Sequence, residues 1–227
     1  MAETKEHILG SGHLHVKIIS EEALKAAAAD WAKFVNDFIK EQKLLGRVKG
    51  GASLDYTTEK TEDQDDLGYV VLEIVKKEKV ELKSGIMTWD GDSLKTLCST
   101  ARVTKNEETG VVTVKIGGLG NQNNDRYVIC FEHYSHLFRV VIIGKNNDGF
   151  SISFEQDKAT VIDAVFRAEA MDDDGTLVII QDFRKATDEA KAELLQSISS
   201  STSEQTPSEN SANKVESTST VSDKSEF

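Results

Sequence analysis

A chain of 227 residues with a formal charge of −12 has room for one all-β domain with appendages. It is too acidic to grip nucleic acid through a basic face, because such binding uses lysine and arginine to displace counterions from phosphate. Cys98 and Cys130 stand in apolar-rich segments at no spacing that builds a disulfide framework, so both read as small, reduced, buried hydrophobes. No run approaches the roughly 20 apolar residues of a membrane span, residues 1–7 are too polar for a signal peptide, and no membrane partner is expected.

Residues 1–9 read as a flexible arm, and residues 10–182 as one β domain. Leu14, Val16 and Ile18 alternate with His13, His15 and Lys17, which predicts a short strand. The two histidines share a strand face, yet no carboxylate or cysteine accompanies them in fixed register, so a solvent-facing pair on an edge strand is expected rather than a metal site. Ser20 is a good N-cap, and Glu21 and Glu22 put negative charge where the helix dipole favours it. Leu24, Ala28, Trp31, Val35 and Phe38 then recur at helical spacing, predicting one long helix over about 21–43. Asp30, Asp37 and Glu41 mixed with lysines make it a poor membrane-surface helix and a better packing helix.

Residues 46–58 predict a strand with Ala52, Leu54 and Tyr56 on one face. Gly50 and Gly51 form no phosphate cradle, since no Lys-Ser/Thr and no helix follow. The acidic run EKTEDQDD at 59–66 predicts an exposed loop. After it, residues 69–84, YVVLEIVKKEKVELKS, contain no Gly, Pro, Asn or Asp and predict a strand on the order of 50 Å long at about 3.3 Å per residue. Ordinary strands have about five or six residues. Such a strand either bends around a barrel or projects from its domain with bare N–H and C=O groups that another chain must satisfy.

Asp92 is expected to cap a short helix carrying Leu94, Leu97 and Cys98. Short strands follow within 103–116, then a turn-rich loop at 117–125 and a meander through Tyr127, Ile129, Phe131, Phe138, Val140 and Ile142. His133 and His136 bracket Ser135, but nothing supplies a strained elbow or an oxyanion hole, so no enzyme is expected. Phe150, Ile152 and Phe154 predict one strand. Ile162, Ala164, Phe166, Ala168 and Ala170 predict another, half buried. Asp172 to Asp174 with Gly175 predict a hairpin turn rather than a calcium loop, and residues 176–180 a returning strand. Residues 183–195 hold a short helical segment, and 196–227, rich in Ser, Thr and Glu, read as a disordered tail. The fold class is therefore mainly β: an antiparallel β-sandwich or barrel with one longer N-terminal helix and one or two short helices. No cofactor is expected.

Three stretches in order, LLGRVKGGASLDY with an acidic loop and DDLGYVV, VELKSGIMTWDGDSLKTL, and GFSISFEQDKATVIDAVFRAEAMDDDGTLVII, resemble the major tail tube protein of long-tailed, non-contractile phages. The resemblance covers roughly residues 44–180. It implies a subunit of stacked hexameric rings, built on the plan shared with type VI secretion tubes, made in a bacterial cytoplasm and residing in a virion tail. Tape measure, tail terminator and tip proteins would be its partners, and genomic DNA would pass through without specific binding. By position, the resemblance implies an inter-ring contact loop at Glu59, Lys60, Glu62, Asp63, Asp65 and Asp66. It places Leu54, Tyr56, Leu72, Glu73, Lys77 and Glu81 on inner-barrel strands. The competing reading is a β-sandwich that binds carbohydrate or a receptor through the Asn-rich loops at 117–125 and 145–148.

Overall fold

In the chain's computed structural model, residues 10–41, 43–64, 66–67, 69–146, 148–152, 154, 156–157 and 159–202 are described. The expected arm at 1–9, Asp65 and residues 203–227 of the expected tail lie outside them; residues 196–202, expected to be disordered, instead continue a helix. Alternating apolar residues make the central strands, and the fold is mainly antiparallel β. In chain order the strands are β1 (Gly12–Ile19), β2 (Leu44–Gln64), β3 (Val70–Ile86), β4 (Arg102–Lys105), β5 (Val112–Lys115), β6 (Arg126–His133), β7 (Phe138–Asn146), β8 (Ile162–Glu169) and β9 (Val178–Asp182). Helices α1 (Glu21–Ala29), α2 (Trp31–Lys40), α3 (Gly91–Leu97) and α4 (Asp188–Thr202), with one 3-10 turn at Leu119–Asn121, complete the described elements.

The main sheet runs β6-β1-β2-β3-β8-β7-β9, and a further β6–β7 pairing closes it. Six antiparallel strands thus surround one core, with β9 added beside β7. The register is continuous around the closure: Leu14 faces Phe131, Phe131 faces Val140, Leu82 faces Phe166 and Ile86 faces Ile162. All are buried. Strands β6 and β7 are buried on both faces, because the outer face carrying His15, Glu132 and Arg139 lies under α2. His15 meets the Phe38 ring edge-on at 6.2 Å, and Arg139 donates to Asn36 Oδ1 at 2.6 Å. At 0–2% exposure, Phe166, Ile142, Phe38 and their neighbours contribute roughly 1.5–3 kcal/mol each.

Several expectations need correction. The single helix over 21–43 is two helices, broken at Asp30, whose backbone (φ −154°, ψ 85°) leaves the helical region. Its carboxylate accepts the Lys33 N–H at 3.0 Å, so an aspartate that competes with the helical ladder ends one helix and caps the next. Residues 59–64 are strand rather than loop, because they face β3 and pair with it. The N-cap of α3 is Asp90, not Asp92; its carboxylate accepts the Ser93 amide at 2.8 Å. Residues 150–152 and 154 form no strand: Gly149 turns the chain at φ +71°, Phe150 and Ile152 still pack on the core, and Phe154 is 80% exposed. Strand β8 and the turn at Asp172 follow the expectation, with the Thr176 N–H donating to Asp172 Oδ1 at 2.9 Å.

Candidate assembly interface

Strands β2 and β3 pair with each other over nearly their whole length, but their other edges are covered only at the base. Strand β1 covers β2 from Leu44 to Arg47, and β8 covers β3 from Glu81 to Ile86. Beyond that the pair is a two-stranded ribbon whose outer edges, 49–64 and 70–80, meet no strand among the described residues. The bare part of β3 extends about 35 Å at about 3.3 Å per residue. A register shift at Gly50 and Gly51 (φ +82° and +81°) starts the departure from the barrel. Such a bulge bends its strand, and glycine adopts positive φ at no steric cost.

Ion pairs bind the two strands together. Lys60 pairs with Glu73, Lys77 Nζ lies 3.0 Å from Glu59 Oε1, and Lys83 Nζ lies 2.7 Å from Asp55 Oδ2. The Tyr56 hydroxyl donates to Glu78 Oε1 at 2.6 Å. These contacts raise the proton affinity of Lys60 and Lys83, through hydrogen bonds to Glu73 and Asp55, and of Tyr56, through its bond to Glu78. Between them stand apolar side chains facing water: Tyr56, Leu72, Ile74 and Val75 are 47–58% exposed. The residues that resemblance placed at an inter-ring loop and those it placed on inner strands are therefore cross-strand neighbours, Glu59 with Lys77 and Lys60 with Glu73. Glu62, Asp63 and Asp66 are exposed toward the tip. Leu54 and Tyr56 share the ribbon face that continues the subunit's own core, whereas Lys77 and Glu81 lie on the opposite face.

The expected solvent-facing histidine pair is absent. Strand β1 is an interior strand, and His15 is 4% exposed beside a buried carboxylate. Glu132 Oε1 accepts from Arg139 Nε and Nη2 at 3.1 and 3.0 Å and lies 3.3 Å from His136 Nδ1, while Oε2 lies 3.3 Å from His15 Nε2. Burial alone would raise the Glu132 pKa, but His15, Arg139 and His136 around the carboxylate outweigh it and hold the group at about 2. Burial, with His15 next to it, lowers the pKa of His13. A lone Glu and a lone Arg in otherwise apolar strands, seven residues apart across a tight turn, were the available signal.

His133 Nδ1 accepts the Ser135 amide at 3.2 Å and lies 2.8 Å from Ser135 Oγ, which accepts from the Leu137 amide at 3.4 Å. These bonds hold the β6–β7 turn, where His136 sits at φ 61°. In the Asn-rich loops, Asn146 donates to Leu97 O and Gly149 O, and Asn121 to Gly117 O and Gly118 O; a small cavity lies between the two loops, lined by Gln122, Asn123, Asp125 and Lys145 among others. Among the described residues no group of three His, Cys, Asp or Glu is placed to hold a metal, and no helix is long and apolar enough to cross a membrane.

No family model matches the chain, and no curated protein does. Among solved structures, it is similar to a chain of the PVC sheath-tube complex of an extracellular contractile injection system in the extended state. Identity is 11%, the TM-score 0.38, and the match covers 78% of this chain and 93% of that one. It is also similar to the anti-feeding prophage cap, a tube terminating cap (12% identity, TM-score 0.38, 80% and 99% covered). The sheath/tube terminator of the PVC system in the extended state is a third (10%, 0.38, 78% and 99%). At these identities and scores the likeness is too distant to transfer what those chains do.

Proposed function

We propose that this chain is a structural subunit of a phage-tail-like tube, in which copies join through the β2–β3 ribbon into rings and the rings stack. The observation that carries the reading is the ribbon's pair of uncovered edges. A two-stranded ribbon is marginal alone in water, and uncovered strand edges are templates for pairing with another chain. No proline interrupts them, since the chain's one proline is Pro207, and four of the five lysines between Asp55 and Lys83, namely Lys60, Lys77, Lys79 and Lys83, are paired with carboxylates of the same ribbon. A second ribbon would thus meet exposed apolar side chains between lysines that are already paired.

Six copies per ring follow from the tail-tube resemblance of the three sequence stretches, and ring closure would turn one ribbon face toward a lumen. Between Asp55 and Lys83 nine carboxylates stand against five lysines, a balance that repels phosphate, so DNA would pass without specific binding. The test is a concentration series of the full chain by light scattering and negative-stain microscopy. Rings and tubes are expected. A monodisperse monomer at every concentration would sink the reading.

A further inference from the structure

Strand β1 is covered by β6 from Gly12 to Ile19, but on its other edge β2 reaches only His13 to His15, and the last bond is the Val16 N–H to Lys43 O at 3.0 Å. Backbone groups of an antiparallel strand point to alternate sides. The N–H and C=O of Ile18 therefore point the same way as that of Val16, into a gap where no strand of this chain lies among the described residues. The gap is a groove of about 620 Å³ between β1, the start of β2 and α3, lined by Ile18, Leu44, Leu45, Lys95 and Thr96 among others. Ile18 and Leu44 at its lip are 52% and 48% exposed.

We propose that this groove accepts the tip of the β2–β3 ribbon of a second copy, which adds to the free edge of β1 as a further strand. The inference rests on the self-assembly reading of the ribbon and supplies the surface that receives it. The groove lies at Leu44, the first residue of β2, and the tip follows Gln64, the last. That separation is on the order of 60 Å of strand, so a subunit cannot fill its own groove. The contact joins unlike surfaces, tip to base, and such contacts propagate into rings or filaments rather than closed pairs.

Chemistry matches at both ends. The tip presents exposed Leu67 and Tyr69 to the apolar lip. Glu62, Asp63 and Asp66 form no ion pair within the described residues, and neither does Lys95, on the α3 wall of the groove. Lys17 and Lys43 share Glu41, and Asp90 is engaged by the Ser93 amide and hydroxyl. Lys95 is thus the groove's available cation, set against Asp92 as its exposed acid.

The experiment uses full-length protein with Cys98→Ser, because Cys98 is a free, partly exposed thiol, carrying Leu67→Cys in one preparation and Thr96→Cys in another, each checked for a native circular dichroism spectrum. Under mild oxidation the mixture is expected to give a cross-linked dimer that neither preparation gives alone. Lys95→Glu is expected to raise the concentration needed for assembly about three- to tenfold, and Asp66→Lys added to it to recover most of that loss. Assemblies that form without the mixed cross-link, and ignore Lys95→Glu, would overturn the groove as acceptor while leaving the tube intact. Failure of the wild-type chain to assemble would remove both.

Discussion

Replacing Glu132 with Gln tests whether the buried charge cluster holds α2 and the β6–β7 turn to the barrel. Glu132 and Arg139 are 1% and 0% exposed, so the variant keeps the shape but leaves a guanidinium buried without its anion. Removing one member of a buried pair costs about 3–5 kcal/mol. An independent route gives a similar size: a carboxyl held at about 2 instead of 4.5 is worth about 3 kcal/mol, at about 1.4 kcal/mol per pH unit. The sign follows from the direction. Because the folded-state pKa is depressed, the stabilisation is present in full above pH 4.5 and disappears as pH falls from there toward 2. At about 2–4 °C per kcal/mol for a chain of this size, Glu132→Gln should melt roughly 6–12 °C below wild type at pH 7. The gap should close as both are acidified below pH 4.5. Melts followed by circular dichroism, at a concentration too low for assembly, give the comparison. A variant within about 2 °C of wild type at pH 7, or a gap unchanged at pH 2.5, refutes the reasoning.

Two further outcomes are expected. Asp30→Ala removes the carboxylate that accepts the Lys33 amide, at a cost of about 1 kcal/mol, and should lower the melting midpoint by roughly 2–4 °C; Asp30→Asn should retain most of it. Cys130 is fully buried, and that burial pushes its thiol well above the ordinary range. Maleimide should therefore leave it unmodified in the native protein at pH 8 and label it in urea, as peptide mapping would show.

Much of the fold was legible because it is written in alternation: Ile162, Ala164 and Phe166 point inward in β8 as their spacing requires, and the uninterrupted run at 69–84 is one strand. What failed has local causes. The break at Asp30 was hidden because the apolar stripe continues through Trp31 and Val35, and only the aspartate's competition for backbone amides stops the helix. The acidic run at 59–64 looked like a loop because composition cannot show that Lys77, Val75, Ile74 and Leu72 stand across from it. His15 looked solvent-facing because its partners, Glu132 and Arg139, are more than a hundred residues away. Pairings between distant segments decide such placements, and one sequence does not encode them by period.

The same limit explains why the ribbon was visible and its destination was not. The length of 69–84 announces a strand that outgrows its domain, and β2 turns out to match it. Pairing with β2 satisfies only one edge of β3, and it creates a second bare edge on β2 itself. Intramolecular pairing therefore moves the open hydrogen-bonding groups outward without removing them, at 49–64 and 70–80. Among the described residues the chain thus leaves open backbone groups at both ends of β2, along the ribbon and beside Ile18, and such edges are what another strand can pair with.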